Sequence, residues 1–114
     1  MKNHRSQVKI MLYVIYQEDG PGGAAARERA KKSHFEYLDK NKDILVLGGA
    51  MLADDSDERI GSVLIINVPD RAAAEAFSAN EPLRNAGAFK SVKISRMRRG
   101  QWNPAAAPKS AEGN

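Results

Sequence analysis

Apolar and polar positions follow two rhythms along this chain, and the places where the rhythm changes predict its elements. Val8-Lys-Ile-Met-Leu-Tyr-Val-Ile-Tyr16 is almost continuously apolar and rich in β-branched and aromatic residues, which predicts a strand covered on both faces. Gln17 to Gly23 is expected to be a loop, because its glycines admit positive φ and Pro21 stops a helix or a ladder from continuing. From about Ala24 to Lys42 the Ala, Arg, Lys and Glu content favours a helix. Ala26, Ala30, His34, Tyr37 and Leu38 fall on one face of it, with Lys31, Lys32, Glu36 and Asp39 mostly outward.

Ile44-Leu-Val-Leu-Gly-Gly-Ala-Met-Leu52 predicts a second strand interrupted by Gly48 and Gly49, a pair that marks either a bulge or the close approach of a ligand or another backbone. An acidic connection, Asp54 to Arg59, leads into the strongly β-branched strand Ile60 to Val68, so the two strands form a hairpin. Asp70 is placed to cap a second helix from about Arg71, which ends before Asn80-Glu81-Pro82 because the residue before a proline is driven out of the helical region. Leu83 to Ala86 suits one further turn, and Ala88 to Met97 alternates imperfectly as a last strand. Residues 1–7 and 100–114 are expected to be tails around a single domain spanning 8–99.

The order β-α-β-β-α-β is the split βαβ arrangement of a ferredoxin-like α+β domain, an antiparallel four-stranded sheet with two helices on one side. Its strands carry too many apolar residues for one face to stand in water. A two-fold homodimer that packs sheet on sheet resolves the conflict, and a chain of 114 residues gains most from such added burial.

Composition narrows the chemistry. The chain contains no Cys, which excludes disulfides, thiolate metal sites and thiol nucleophiles, and its two His are His4 and His34. A metal site is not expected, since His34 has no second His in the domain to converge with it. The acidic connection lacks a Ca²⁺ loop's glycine and closing glutamate, Arg59 and Ile65 standing at those positions, and no phosphate-cradling glycine motif ending in Lys and Ser or Thr occurs. The formal charge is +4, yet Val8 to Ser95 holds 12 Lys and Arg against 13 Asp and Glu, so the excess lies in the tails. With no basic face and no aromatic residue in the strand from Ile60 to Val68, nucleic-acid binding is not expected. The longest apolar run, Ile10 to Ile15, is too short for a bilayer or a signal segment, and a cytoplasmic protein without membrane contact is expected.

Five pieces of sequence share an order and spacing with a known family: the early apolar strand, His34-Phe-Glu-Tyr-Leu38, Gly48-Gly-Ala50, Gly61-Ser62, and Glu81-Pro-Leu-Arg-Asn-Ala-Gly-Ala-Phe89. Over roughly Val8 to Arg96 the chain resembles the YciI-like, or YCII-related, family. The resemblance implies a dimeric α+β barrel of ferredoxin-like protomers. It also implies an active-site pair of a His on the first helix, matched by His34, and an Asp directly before a proline. Glu81, one methylene longer, occupies that second position.

Taken alone, His34 on an apolar helix face suits a satisfied core or interface residue as well as an acid/base group, and Glu81 suits an exposed helix end as well as a partner. Tyr13, Tyr16 and Tyr37 carry hydroxyls that can bind a ligand, although aromatics at such positions commonly pack. The expected site is therefore His34 and Glu81 as the catalytic pair, with Tyr13, Tyr37, Gly48 and Gly49 around the substrate. The expected reaction is acid/base elimination, isomerisation or hydrolysis of a small organic molecule without a cofactor. The competing reading is a non-catalytic module that binds a small molecule or assembles with partners.

Overall fold

A computed structural model describes residues 11–111. The expected N-terminal tail, His4 and the first three residues of the predicted first strand lie outside that range. The elements are β1 (Met11–Asp19), α1 (Gly23–Lys40), β2 (Leu45–Leu52), β3 (Arg59–Val68), α2 (Arg71–Ala79), the one-turn α3 (Pro82–Asn85) and β4 (Phe89–Met97). The strands form one antiparallel sheet in the order β2-β3-β1-β4, the ferredoxin-like α+β arrangement.

β1 runs on to Asp19, through residues expected to be loop. The ladder holds it extended, because Gln17 and Glu18 pair with Ser62 and Gly61 on one side and with Val92 and Ser91 on the other. Gly61 is the residue that permits this closeness, since a Cβ there would collide with the Gln17 carbonyl oxygen. The predicted bulge at Gly48 and Gly49 is not where the ladder breaks. Both glycines pair in register, with Leu64 and Val63, and the irregularities flank them at Leu45/Leu47 and Met51/Leu52.

The core lies between the helices and one face of the sheet, where Tyr13, Ile15, Leu64, Ile66 and Val68 meet Ala74 and Phe77 of α2. Alternation along β1 and β3 sends Val14, Tyr16, Val63 and Ile65 to the opposite face, where they are only partly covered. The Asp70 carboxylate accepts from the Ala73 amide at 2.9 Å, which fixes the start of α2.

A smaller cluster joins α1 to α3 and positions the site. Ala26 and Ala30 of α1 are small enough for Leu83, 2% exposed, to seat between the two elements beside Ala88. Beyond β4 the chain forms a single 3₁₀ turn at Pro104–Ala106, and Trp102 is exposed with the Arg99 guanidinium 5.2 Å from its ring centre. No helix among the described residues is long and apolar enough to cross a membrane.

Candidate active site

His34 sits midway along α1 on the face that turns toward α3, and Glu81 is the residue at which α3 begins. Pro82 at the first helical position and an extended Glu81 backbone fold the carboxylate back over the helix start. There Glu81 Oε2 accepts from the Leu83 amide at 2.9 Å and meets His34 Nδ1 at 2.8 Å. The side chain of Glu81 is 1% exposed and that of His34 16%.

A carboxylate only accepts hydrogen bonds, so the pairing makes Nδ1 the donating nitrogen of His34. The other ring nitrogen, Nε2, is then free to take or give a proton, and among the described residues nothing occupies it. The second oxygen of Glu81, Oε1, is buried and has no partner among the described residues. A buried carboxylate held by the Leu83 amide and facing one ring nitrogen fixes the orientation and tautomer of the imidazole.

His34 opens onto a cleft of about 1050 Å³ between α1, the middle of β2 and the end of the β2–β3 connection. Gly48 and Gly49 line it together with Phe35, Leu38, Leu64 and Arg59. A Cβ at Gly48 would come within 2.8 Å of the end of the Leu64 side chain, which lines the cleft with it.

The two tyrosines expected around a ligand stand elsewhere. Tyr13 is 4% exposed in the core, its hydroxyl 3.8 Å from the Met11 sulfur. Tyr37 donates its hydroxyl to the Phe77 carbonyl at 2.8 Å and so ties α1 to α2. Burial first, and then the nearby Glu81 carboxylate, hold the Tyr37 hydroxyl above its ordinary range. Neither lines the cleft. Tyr16 faces the uncovered side of the sheet, 43% exposed.

Sequence reasoning passed over the other end of the cleft. There Asp19, at the end of β1, holds Arg27 of α1 in a two-pronged ion pair at 2.9 and 3.0 Å. A signal was present, since Arg27 stands seven residues before His34 and therefore on the same helix face. Among the described residues no three His, Asp or Glu side chains converge as metal ligands would.

Three comparisons bear on this geometry. The chain matches, with 29% identity and a TM-score of 0.73 over 79% of its length and 96% of the other chain, the 5-chloro-2-hydroxyhydroquinone dehydrochlorinase of Burkholderia phenoliruptrix AC1100, solved in complex with 2,5-dihydroxybenzoquinone. An antibiotic biosynthesis monooxygenase, 16% identical with a TM-score of 0.50 over 81% of this chain and 100% of that one, shares the fold. So does a Pseudomonas aeruginosa protein, 18% identical with a TM-score of 0.50 over 87% and 100%. No curated protein sequence matches the chain. The YCII-related domain model matches residues 11–98, which takes in every strand and helix that builds the cleft, and the chain belongs to that family.

Proposed function

We propose that the protein is an enzyme in which His34, oriented by Glu81, performs acid/base chemistry on a small organic molecule held in the cleft. The observation that carries the reading is the 2.8 Å contact between His34 Nδ1 and a fully buried Glu81, with Nε2 left for the cleft. The kinship with a dehydrochlorinase favours elimination from an oxygen-bearing ring. In that step the ring reacts as its keto tautomer, in which one hydroxyl has passed its proton to the carbon bearing the leaving group. Nε2 takes the proton of a second hydroxyl, that oxygen becomes a carbonyl, the electron pair moves through the ring to expel the leaving group as an anion, and Glu81 faces the resulting imidazolium until solvent takes the proton. The step requires no redox change and no cofactor.

The test is chloride release from 5-chloro-2-hydroxyhydroquinone by wild type and His34→Ala. Loss of the base is expected to lower turnover about 10²- to 10⁴-fold with the fold intact by circular dichroism. A His34→Ala protein that turns over at the wild-type rate sinks the reading. A wild type that binds 2,5-dihydroxybenzoquinone without turning anything over selects the binding-module alternative.

The working unit is proposed to be a homodimer packed through the uncovered sheet face. Leu12, Val14, Val63 and Ile65 lie there only half-buried, with Tyr16 43% and Leu47 65% exposed beside them. Sedimentation equilibrium should return twice the 12.5 kDa chain mass, and Val14→Lys should return the single mass.

A further inference from the structure

The end of the cleft away from His34 holds hydrogen-bonding capacity that the acid/base reading does not use. Arg27 and His34 are seven residues apart on one face of α1, a rise of roughly 10 Å. The Arg27 guanidinium is fixed in place. Its Nε donates to Asp19 Oδ2 at 3.0 Å, its Nη2 donates to Asp19 Oδ1 at 2.9 Å and to the Gly61 carbonyl at 3.1 Å, and the Phe89 ring centre lies 5.8 Å from its central carbon. Its third nitrogen, Nη1, has no acceptor among the described residues, and Arg27 lines the cleft.

The bond to Gly61 brings this guanidinium beside Ser62, which lines the same cleft. Ser62 Oγ accepts a 2.7 Å hydrogen bond from Nε2 of Gln17, a residue only 1% exposed, and donates to no acceptor among the described residues. Gln17 Oε1 is itself buried without a partner. Burying an amide with half of its capacity unsatisfied costs stability that an apolar side chain at this position would not. What the glutamine achieves is orientation: with one lone pair of Ser62 engaged from below, the hydroxyl proton turns away from Gln17, and the cleft is the open direction.

We infer that Ser62 Oγ–H and Arg27 Nη1 form a second subsite, which receives a carbonyl, phenolic or phenolate oxygen on the far side of a small ring ligand. The charge of Arg27 is already matched by Asp19, so the subsite offers donors with little net charge and suits an uncharged or delocalised oxygen better than a carboxylate. Arg27 and His34 stand two turns apart on the face of α1 that lines one cleft with Ser62, so a small ring with oxygens on opposite sides is the kind of ligand that can address both ends. The proposed function supplies only the identity of the group at the other end.

The test uses three probes, hydroquinone, phenol and 4-hydroxybenzoate, titrated into the ¹⁵N-labelled protein and followed by NMR. Hydroquinone is expected to shift the amide signals of Gly61 and Ser62 and the Arg27 side-chain signal, and to bind more tightly than 4-hydroxybenzoate. Ser62→Ala is expected to weaken hydroquinone about five- to tenfold, the worth of one hydrogen bond, and to change phenol less, since a single oxygen can settle at either end. Gln17→Leu, which frees the hydroxyl to rotate while keeping the site apolar beneath, should weaken it by a smaller factor in the same direction. In His34→Ala the shifts at Ser62 and Arg27 should persist, so a failure of the acid/base reading leaves the subsite standing. Unchanged hydroquinone affinity in a natively folded Ser62→Ala overturns the inference. So does the absence of any shift at Gly61 and Ser62 with all three probes.

Discussion

Two charged pairs anchor α1 to the rest of the molecule, and they differ in what they leave over. Asp19 meets Arg27 with both carboxylate oxygens, a permanent cation faces a permanent anion, and side-chain exposure is 10% and 16%. Glu81 meets His34 with one oxygen, the cation exists only when the imidazole is protonated, and the second oxygen has no partner among the described residues. The first pair is closed on the carboxylate side and serves mainly to hold the end of β1 against α1. The second is open to a change of charge, which is what a group that moves protons requires.

That contrast makes opposite substitutions informative, and the largest effect is expected at Glu81. Glu81→Gln keeps an oxygen to accept from the Leu83 amide, so the start of α3 survives, but it removes the charge that the proposed mechanism sets against an imidazolium. Turnover should fall about a hundredfold while the thermal midpoint stays near wild type. A ¹H spectrum should also lose the downfield resonance of a carboxylate-bound Nδ1–H. If turnover is untouched, Glu81 is a helix cap and nothing more.

At Asp19 the expected damage is to stability instead. Asp19→Ala leaves the Arg27 guanidinium with the Gly61 carbonyl as its one remaining acceptor among the described residues, largely out of water. A fully buried pair broken in this way costs about 3–5 kcal/mol, and the partial exposure here brings the expected loss to about 2 kcal/mol, measured by urea denaturation. A variant as stable as wild type would mean that solvent already screens the pair.

The same two pairs show what a sequence discloses and what it withholds. The helical period placed His34 on the inward face, Asp70 marked where α2 starts and Pro82 marked where it must end, because periodicity, caps and proline act over a few residues. Partnerships across the fold obey no such local rule. His34 meets Glu81 across 47 residues and Gln17 meets Ser62 across 45, and here the resemblance to a family pointed to the first contact while nothing pointed to the second. Gln17 was lost because a polar residue before Asp-Gly-Pro suggests a loop, whereas the sheet carries β1 past it and buries it. Asp19 and Arg27 were lost because charges are taken for solvated surface until a partner is seen. Tyr13 and Tyr37 erred the other way, since a hydroxyl drawn as a ligand contact finds its partner inside the protein.

The smallest expected effect sharpens the comparison from beside the open pair. Tyr37 is neutral where it donates to the Phe77 carbonyl, and its hydroxyl is held above the ordinary tyrosine range by burial and by the Glu81 charge. A group whose folded pKa is raised contributes stability that is complete below its unfolded value, about 10, and is lost as pH climbs through the folded value. Tyr37→Phe should therefore cost about 1 kcal/mol near neutrality, the net worth of one hydrogen bond. The gap between wild type and variant should close as the pH is taken above about 10, because only the wild type has a hydroxyl to ionise there. In Glu81→Gln one of the two causes of the shift is gone, so wild-type Tyr37 in that background should ionise at lower pH, visible in the phenolate absorbance. An alkaline titration identical in the two backgrounds would show that the Glu81 charge is not felt at Tyr37, and the open pair would then act on His34 alone.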